Sequence, residues 1–225
     1  MQSRQQISLS LIKEEDILEV CGLMKATQAT FAKMQSPEIY AAICSDALHR
    51  DDVVLAVAKI DNKVVGYSLG VIDRRRYWRS YFFRYPVLTA KIAYSLLLKQ
   101  LKVFHRINHQ STSLNQPLEK FVDLVPAKRS WRDSSPIIAK SLHTCVSENV
   151  RNKSIGLKLL FYTFEILNDR GVSRVDTMVR IDNSNISSIK MNRKAGWKFS
   201  RTGDYLFGSI DLNKTSDFDE YNRRR

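Results

Sequence analysis

Cysteine, glycine and proline are scarce in this chain, and each scarcity weighs against a class of protein. Three cysteines among 225 residues, Cys21, Cys44 and Cys145, share no close spacing. That argues against a disulfide framework or a zinc ribbon and favours reduced thiols in a cytoplasmic setting. Eight Gly and five Pro exclude collagen-like and linker-type composition. No run approaches the roughly 18 apolar residues of a membrane-spanning helix. The opening MQSRQQISLSLIKEED turns acidic before any long apolar stretch, so no signal peptide is expected. The four histidines, His49, His105, His109 and His143, are scattered, and no metal site is expected. G-x-x-x-x-G-K-[ST], G-x-G-x-x-G and H-E-x-x-H are all missing, which leaves phosphate loops of the nucleotide-triphosphate type and zincin chemistry without support.

What is present is a core. Hydrophobic residues make up 44% and aromatics 10% of the chain, enough for one domain over residues 1–225. Lys and Arg number 36 against 23 Asp and Glu, a net charge of +13. Such a surplus points to an anionic partner: nucleic acid, lipid headgroups or a phosphorylated ligand. It is concentrated, because no acidic residue falls between Asp73 and Glu119, while nine cations do. This stretch reads as a basic, aromatic helical insertion over about 74–134.

On either side the periodicities are regular. Ile7 to Ile12 reads as a strand, and Lys13–Asp16 opens a helix with acids near its positive end. A second helix follows Pro37. VVLAVAKI, the turn Asp61–Asn62 and KVVGYSLGVI form a hairpin. After the insertion come a strand in PIIAKSLHTCV, a helix in SIGLKLLFYTFEILNDRG stopped by Gly171, and a strand in SRVDTMVRI. A short helix in SNISSIKMNRKAG and a last strand in DYLFGSIDL follow, and the tail 214–225 is expected to fray. The expected order is β-α-α-β-β, insertion, β-α-β-α-β.

Gly66–Tyr67–Ser68–Leu69–Gly70 fits the G-x-S-x-G nucleophile pattern, but that chemistry needs a sharp strand-to-helix turn. Here strand-forming residues continue through Val71 and Ile72, so Ser68 is expected inside a strand. Val146 to Leu160, VSENVRNKSIGLKLL, is more informative. A strand ends, a polar loop carries Arg151, Asn152, Lys153 and Ser154, and a helix begins near Ile155–Gly156. A helix start offers unpaired N–H groups to an anion, and small residues let a phosphate approach closely. The competing reading is an ordinary strand-to-helix turn with solvated charges.

VRNKSIGLKLL resembles the acyl-CoA-binding motif of the GNAT superfamily of N-acetyltransferases, [RQ]-x-x-G-x-[GA]. Arg151 and Gly156 match its outer positions, and Ser154 replaces the middle glycine. Asn185 to Trp197 resembles the second segment of that family, N-x-x-A-x-x-x-Y-x-x-x-G-F. Asn185, Gly196 and the aromatic at 197 match, Ser188 replaces alanine, and Asn192 stands in the tyrosine position. The resemblance covers residues 136–212. It implies an α/β fold with a mixed, mostly antiparallel sheet flanked by helices, and acetyl-CoA in a cleft between two splayed parallel strands. Thr144, Cys145 and Val146 would hold the pantetheine arm through their backbone, together with Asn185. The N–H groups from Asn152 through Ser154 and Ile155 to Gly156 would cradle the pyrophosphate, with charge from Arg151 and Lys153.

The implied reaction is attack of a small-molecule amine on the thioester, which needs a base and an acid for the leaving thiolate. An amide such as Asn192 donates a hydrogen bond but gives up no proton at neutral pH. His143, on the strand lining the cleft, is the first candidate base and Glu148 the second. Alternation puts His143 and Cys145 on one face of the strand, Leu142 and Thr144 on the other. GNAT-like chains with a basic, aromatic insertion resemble enzymes acting on amino sugars, which makes an amino-sugar nucleotide the expected acceptor and an amino-acid or protein amine the alternative. The rival reading is a non-catalytic peripheral membrane or adaptor module with a degenerate CoA-binding core. Within the insertion, RRRYWRSYFFRY precedes a helix from Val87 to Ile107 with a stripe of Lys91, Ser95, Lys99 and Lys102. It reads as a helical cap, as a contact of residues 74–107 with an anionic membrane at its inner face, or as a site for a nucleotide-linked substrate. No nucleic-acid-binding fold accompanies it, which ranks nucleic acid last.

Overall fold

The computed structural model describes residues 6–26, 37–90, 93–94, 137–151, 154–181 and 186–214. Strand β1 (Ile7–Leu11) leads through a 3-10 turn (Glu14–Asp16) into helix α1 (Ile17–Ala26). Helix α2 (Pro37–His49) and the hairpin β2 (Val53–Ile60) and β3 (Lys63–Ile72) follow. Asp61 and Asn62 both have positive φ, as a two-residue hairpin turn requires. Helix α3 (Arg74–Arg84) begins the insertion, and β4 (Ile138–Val146) comes after it. The chain closes with α4 (Ile155–Asp169), β5 (Arg174–Arg180), α5 (Ile186–Lys194), β6 (Lys198–Thr202) and β7 (Tyr205–Asp211). The lysine stripe, the loop 108–116 and the tail after Lys214 lie outside the described residues.

Seven strands form one sheet in the order β1-β2-β3-β4-β5-β7-β6, antiparallel at every pair except β4–β5. This is the expected mixed, mostly antiparallel sheet, with one strand the periodicity missed. β6, Lys-Phe-Ser-Arg-Thr, is a five-residue edge strand on which only Phe199 turns inward. One apolar residue carries no readable alternation. The arginine-aromatic run, at the start of the expected helical insertion, is a helix. Its tyrosines Tyr77 and Tyr81 are buried one turn apart.

Helices cover both faces. On one, α1, α2 and α3 bury Val20, Ile39, Ile43 and Tyr81 against Val53, Leu55, Tyr67 and Leu69. On the other, α4 lies over β2 and β3 on a bed of small residues. Ala56 pairs with Ser68 and Ala58 with Gly66, and Leu159 packs on both alanines. Gly66, Ser68 and Gly70 thus serve helix packing. Ser68 is fully buried and its hydroxyl meets the Thr144 hydroxyl at 3.0 Å, so the G-x-S-x-G match has no nucleophile. Towards the far edge of the sheet, Phe161, Phe164, Trp197, Val175 and Leu206 close a second core between α4, α5 and strands β5–β7.

A Cβ at Gly66 would stand 2.8 Å from the Cys145 carbonyl oxygen and 3.0 Å from Leu159, whereas one at Gly22 in α1 would meet nothing. Gly66→Ala is therefore expected to lower unfolding free energy by about 1–3 kcal/mol. Gly22→Ala should raise it by about 0.5–1 kcal/mol. Urea titration of both variants checks the opposite signs.

Candidate functional site

The site grows from one irregularity. β4 and β5 pair at only three positions, Ile138 with Arg174, Ala139 with Val175 and Lys140 with Asp176. Ion pairs clamp that closed end: Lys140 Nζ lies 2.7 Å and Arg174 Nε 3.0 Å from the Asp176 carboxylate. Beyond it β4 runs on to Val146 and β5 to Arg180 without pairing. At the fork the Thr177 hydroxyl donates to the Ser141 carbonyl at 3.3 Å, where a ladder bond would otherwise sit. Two strand edges, β4 paired outwardly with β3 and β5 with β7, therefore face each other across a wedge. Such edges suit an extended ligand with amides of its own.

A register shift helps to open the wedge. β3 residues Leu69 and Gly70 pair with His143 and Ser141, so Leu142 is an extra residue in β4. A bulge bends its strand and increases the twist. It also corrects the simple alternation. Leu142 packs with Cys145 and Tyr67 on the α1–α2 side, the side that His143 takes as well, while Thr144 turns to α4.

The residues expected to hold a cofactor stand at the end of this wedge. Thr144, Cys145 and Val146 lie on β4 beyond the fork. Their side chains are occupied within the protein. Thr144 bonds Ser68, Cys145 is buried, and Val146 packs by Gly66 and Gly156. A ligand in the wedge would therefore meet this stretch through its backbone rather than its side chains. Ser147 to Arg151 turn the chain, and Arg151 pairs with Glu148 at 3.1 Å with both side chains largely exposed. Glu148, the second candidate base, thus sits in the loop that leads to the helix. Ser154 is left-handed at φ 57° and ψ 15°, a conformation that costs an L-residue about 1–2 kcal/mol and suits glycine. Helix α4 then starts: the Lys158 N–H to Ser154 carbonyl bond, 3.0 Å, leaves the N–H groups of Ile155, Gly156 and Leu157 ahead of the helical ladder. A Cβ at Gly156 would meet Met191 Sδ at 2.6 Å, so this glycine also sets how closely α4 and α5 pack. Asn152, Lys153 and Asn185 lie outside the described residues.

Two further polar groups belong to the wedge region. Asn192 on α5 is 6% exposed. Its main-chain oxygen accepts from the N–H groups of Ala195 and Trp197, and among the described residues its side-chain amide has no partner. His143 Nδ1 and Tyr67 Oη are hydrogen-bonded at 2.6 Å with their rings tilted by 34°. The phenol donates in one imidazole tautomer, and Nδ1–H donates in the other. Burial pushes the His143 pKa down to about 4, so the ring is neutral at pH 7. Tyr67 went unnoticed in the sequence because it sits 76 residues from its partner, and only the β3–β4 register joins them. Among the described residues no group of three or more His, Cys, Asp and Glu could hold a metal ion, and no helix is long and apolar enough to cross a membrane.

The buried imidazole gives stability a pH dependence of definite sign. Unfolded, His143 binds a proton near pH 6.5; folded, it does so only near about 4. Between those values the unfolded state holds the extra proton, so acidification favours unfolding. The contribution is complete above pH 6.5 and is lost as pH falls towards 4, by up to about 1.4 kcal/mol per pH unit. Chemical denaturation from pH 7 to 4 should show this slope, and His143→Gln should flatten it.

No family model matches the chain, and no curated protein matches its sequence. The structure, in contrast, has many counterparts. It superposes on a GNAT-family acetyltransferase from Streptococcus pneumoniae with a TM-score of 0.53 and 10% identity, covering 92% of this chain and 99% of the other. The ribosomal-protein-S18-alanine N-acetyltransferase of Escherichia coli gives 0.52 and 10%, over 94% and 97%. The aminoglycoside N-acetyltransferase AAC(6′)-Iy, solved with CoA, gives 0.53 and 10%, over 90% and 94%. Sequence identity this low speaks to architecture alone. With its single parallel strand pair opening beside a helix N-terminus, the chain has the GNAT fold.

Proposed function

We propose that the chain transfers an acetyl group from acetyl-CoA to a primary amine. The observation that carries this reading is the parted β4–β5 pair, whose open edges run to the N-terminus of α4. Coenzyme A has the matching chemistry: a pantetheine arm with two amides for the strand edges and a pyrophosphate for the helix start. The backbone of Thr144, Cys145 and Val146 would align the arm. The N–H groups of Ile155, Gly156 and Leu157, with the Arg151 guanidinium and residues Asn152 and Lys153, would hold the pyrophosphate. Asn185 is kept as a further contact to the arm. CoA-bound AAC(6′)-Iy, which shares the fold, supports this choice of cofactor.

Acetyl-CoA supplies an activated thioester carbonyl, and the rest of the chemistry falls to the protein. His143 is neutral at pH 7 but a weak base, because burial has lowered its pKa to about 4. It is too weak to take a proton from a free alkylammonium, whose pKa is near 10. It suits a later moment, when the attacking nitrogen becomes acidic as its bond to carbon forms. For that, Nε2 must carry the lone pair, so Nδ1–H must donate to Tyr67 Oη. Tyr67 is accordingly a positioning residue that fixes the tautomer. Asn192, buried in the tyrosine position of the resembling motif, would donate a hydrogen bond to the departing sulfur while water supplies the proton. Glu148, paired with Arg151 beside the helix start, is the less suited base. The insertion on which an amino-sugar acceptor rests lies mostly outside the described residues, and the acceptor is a primary amine.

The test combines binding and turnover. CoA is expected to raise the melting temperature, and free thiol should appear when acetyl-CoA meets a panel of amine acceptors. Tyr67→Phe should keep the CoA-induced shift but lower kcat roughly tenfold and alter the acid limb of the pH profile. Absence of any CoA stabilisation would end the cofactor reading. CoA binding with no thiol release across the panel would favour the non-catalytic module instead.

A further inference from the structure

The structure exposes an apolar stripe where a surface helix should be polar. Helix α3 continues past Pro86, because the Tyr85 N–H bonds the Tyr81 carbonyl at 3.0 Å and the Thr89 N–H bonds the Tyr85 carbonyl at 2.8 Å; residues 86–90 and 93–94 are helical. Its inner face is satisfied. Tyr77, Tyr81 and Leu88 are buried, Arg84 makes a two-pronged ion pair with the buried Asp46 of α2 at 2.7 and 2.8 Å, and Tyr85 Oη donates to the same carboxylate at 3.1 Å. The opposite face carries Phe83 at 81% exposure, Val87 at 70%, the exposed Ala90 and Tyr94 at 63%. Spacings of four, three and four residues put these side chains within a narrow arc of the helix. They are not core residues turned the wrong way, since the Asp46 contacts fix the inner face. Beside the stripe, residues Arg84–Leu88 and Glu38, Ala41, Ala42 and Ser45 of α2 line a mostly apolar groove of about 620 Å³.

We propose that this outward stripe docks the protein on an anionic lipid surface. Charge complementarity favours that occupant. From residue 74 to 118 the chain carries nine Lys and Arg and no acid, and of Arg79 and Arg84, whose side chains are described, Arg84 is the one in an ion pair with a carboxylate. Exposed Arg79 lies one turn before Phe83, and Arg74, Arg75 and Arg76 precede it in sequence. An interfacial helix needs this combination: apolar side chains to enter the headgroup boundary and cations to meet lipid phosphates. A second copy of the chain fits poorly, because its own acid-free segment would be brought against this one. Nucleic acid fits less well than lipid, because Val87 and Phe83, the leading residues of the stripe, offer no hydrogen bond to phosphate or base. The inference is independent of the acetyl-transfer reading, and the surface lies in the insertion rather than at the parted strands.

Flotation of the full chain with vesicles tests it, using phosphatidylcholine alone and phosphatidylcholine mixed equally with phosphatidylglycerol. Binding is expected to the anionic vesicles only and should weaken as salt is raised. Phe83→Ser with Val87→Ser should weaken it at least about tenfold, the loss expected from two partly inserted apolar side chains. Arg74→Gln, Arg75→Gln and Arg76→Gln together should weaken it by about 10–100-fold. Unchanged circular dichroism and melting temperature would show that both variants fold. The proposal is overturned if the wild type ignores anionic vesicles or binds neutral ones equally well. It is also overturned if the serine variant binds undiminished, or if the protein retains a nucleic acid duplex while leaving the vesicles free.

Discussion

Everything at the candidate site depends on two neighbouring strands that begin as partners and then part. β4 and β5 share three residue pairs, held at the closed end by Asp176 between Lys140 and Arg174. Past the fork, backbone groups that a continuous sheet would satisfy are left for something else. An unpaired buried amide costs about 1–3 kcal/mol, so a strand edge opened in the middle of a sheet is an invitation to a ligand rather than a neutral feature. The extra residue Leu142, and the Thr177 hydroxyl standing in for a ladder bond, are local devices that make the parting possible.

The rest of the fold supports that opening. Small residues on β2 and β3 let α4 lie close, so its first turn arrives beside the end of β4. The left-handed Ser154 turns the chain into the helix. On the opposite face, packing of α1, α2 and α3 buries Tyr67 and half-buries His143. The start of α4 and the Tyr67–His143 pair thus lie on different sides of one strand. The insertion leaves the sheet between β3 and β4, at the end of β4 away from the start of α4, and the Asp73 N–H bonded to the Ile138 carbonyl at 3.2 Å pins its two ends together. A surface contact there need not disturb the wedge.

Much of this was legible in the sequence. The hairpin announced itself through Asp61–Asn62 between two apolar runs, and α4 through its long periodic face ending at Gly171. Ser68 was readable as a strand residue because Val71 and Ile72 continue the run. What escaped reading were features set by register. The bulge at Leu142 moved that side chain to the face opposite the one alternation gives, and no local pattern marks a bulge in a strand buried on both sides. Tyr67 could not be tied to His143 without the β3–β4 pairing. β6 had too few apolar residues to be seen. In the arginine-aromatic run, buried tyrosines and outward phenylalanines share one helix, so aromatic content alone does not mark its inner face.

Amide hydrogen exchange on the full chain, with and without coenzyme A, tests the parted strands most directly. If the wedge is the cofactor groove, CoA will slow exchange at Ser141–Val146 and at Ile155–Leu157 and leave β1 and β2 unchanged. CoA that protected only surfaces away from β4 and the start of α4, or protected none, would contradict the account.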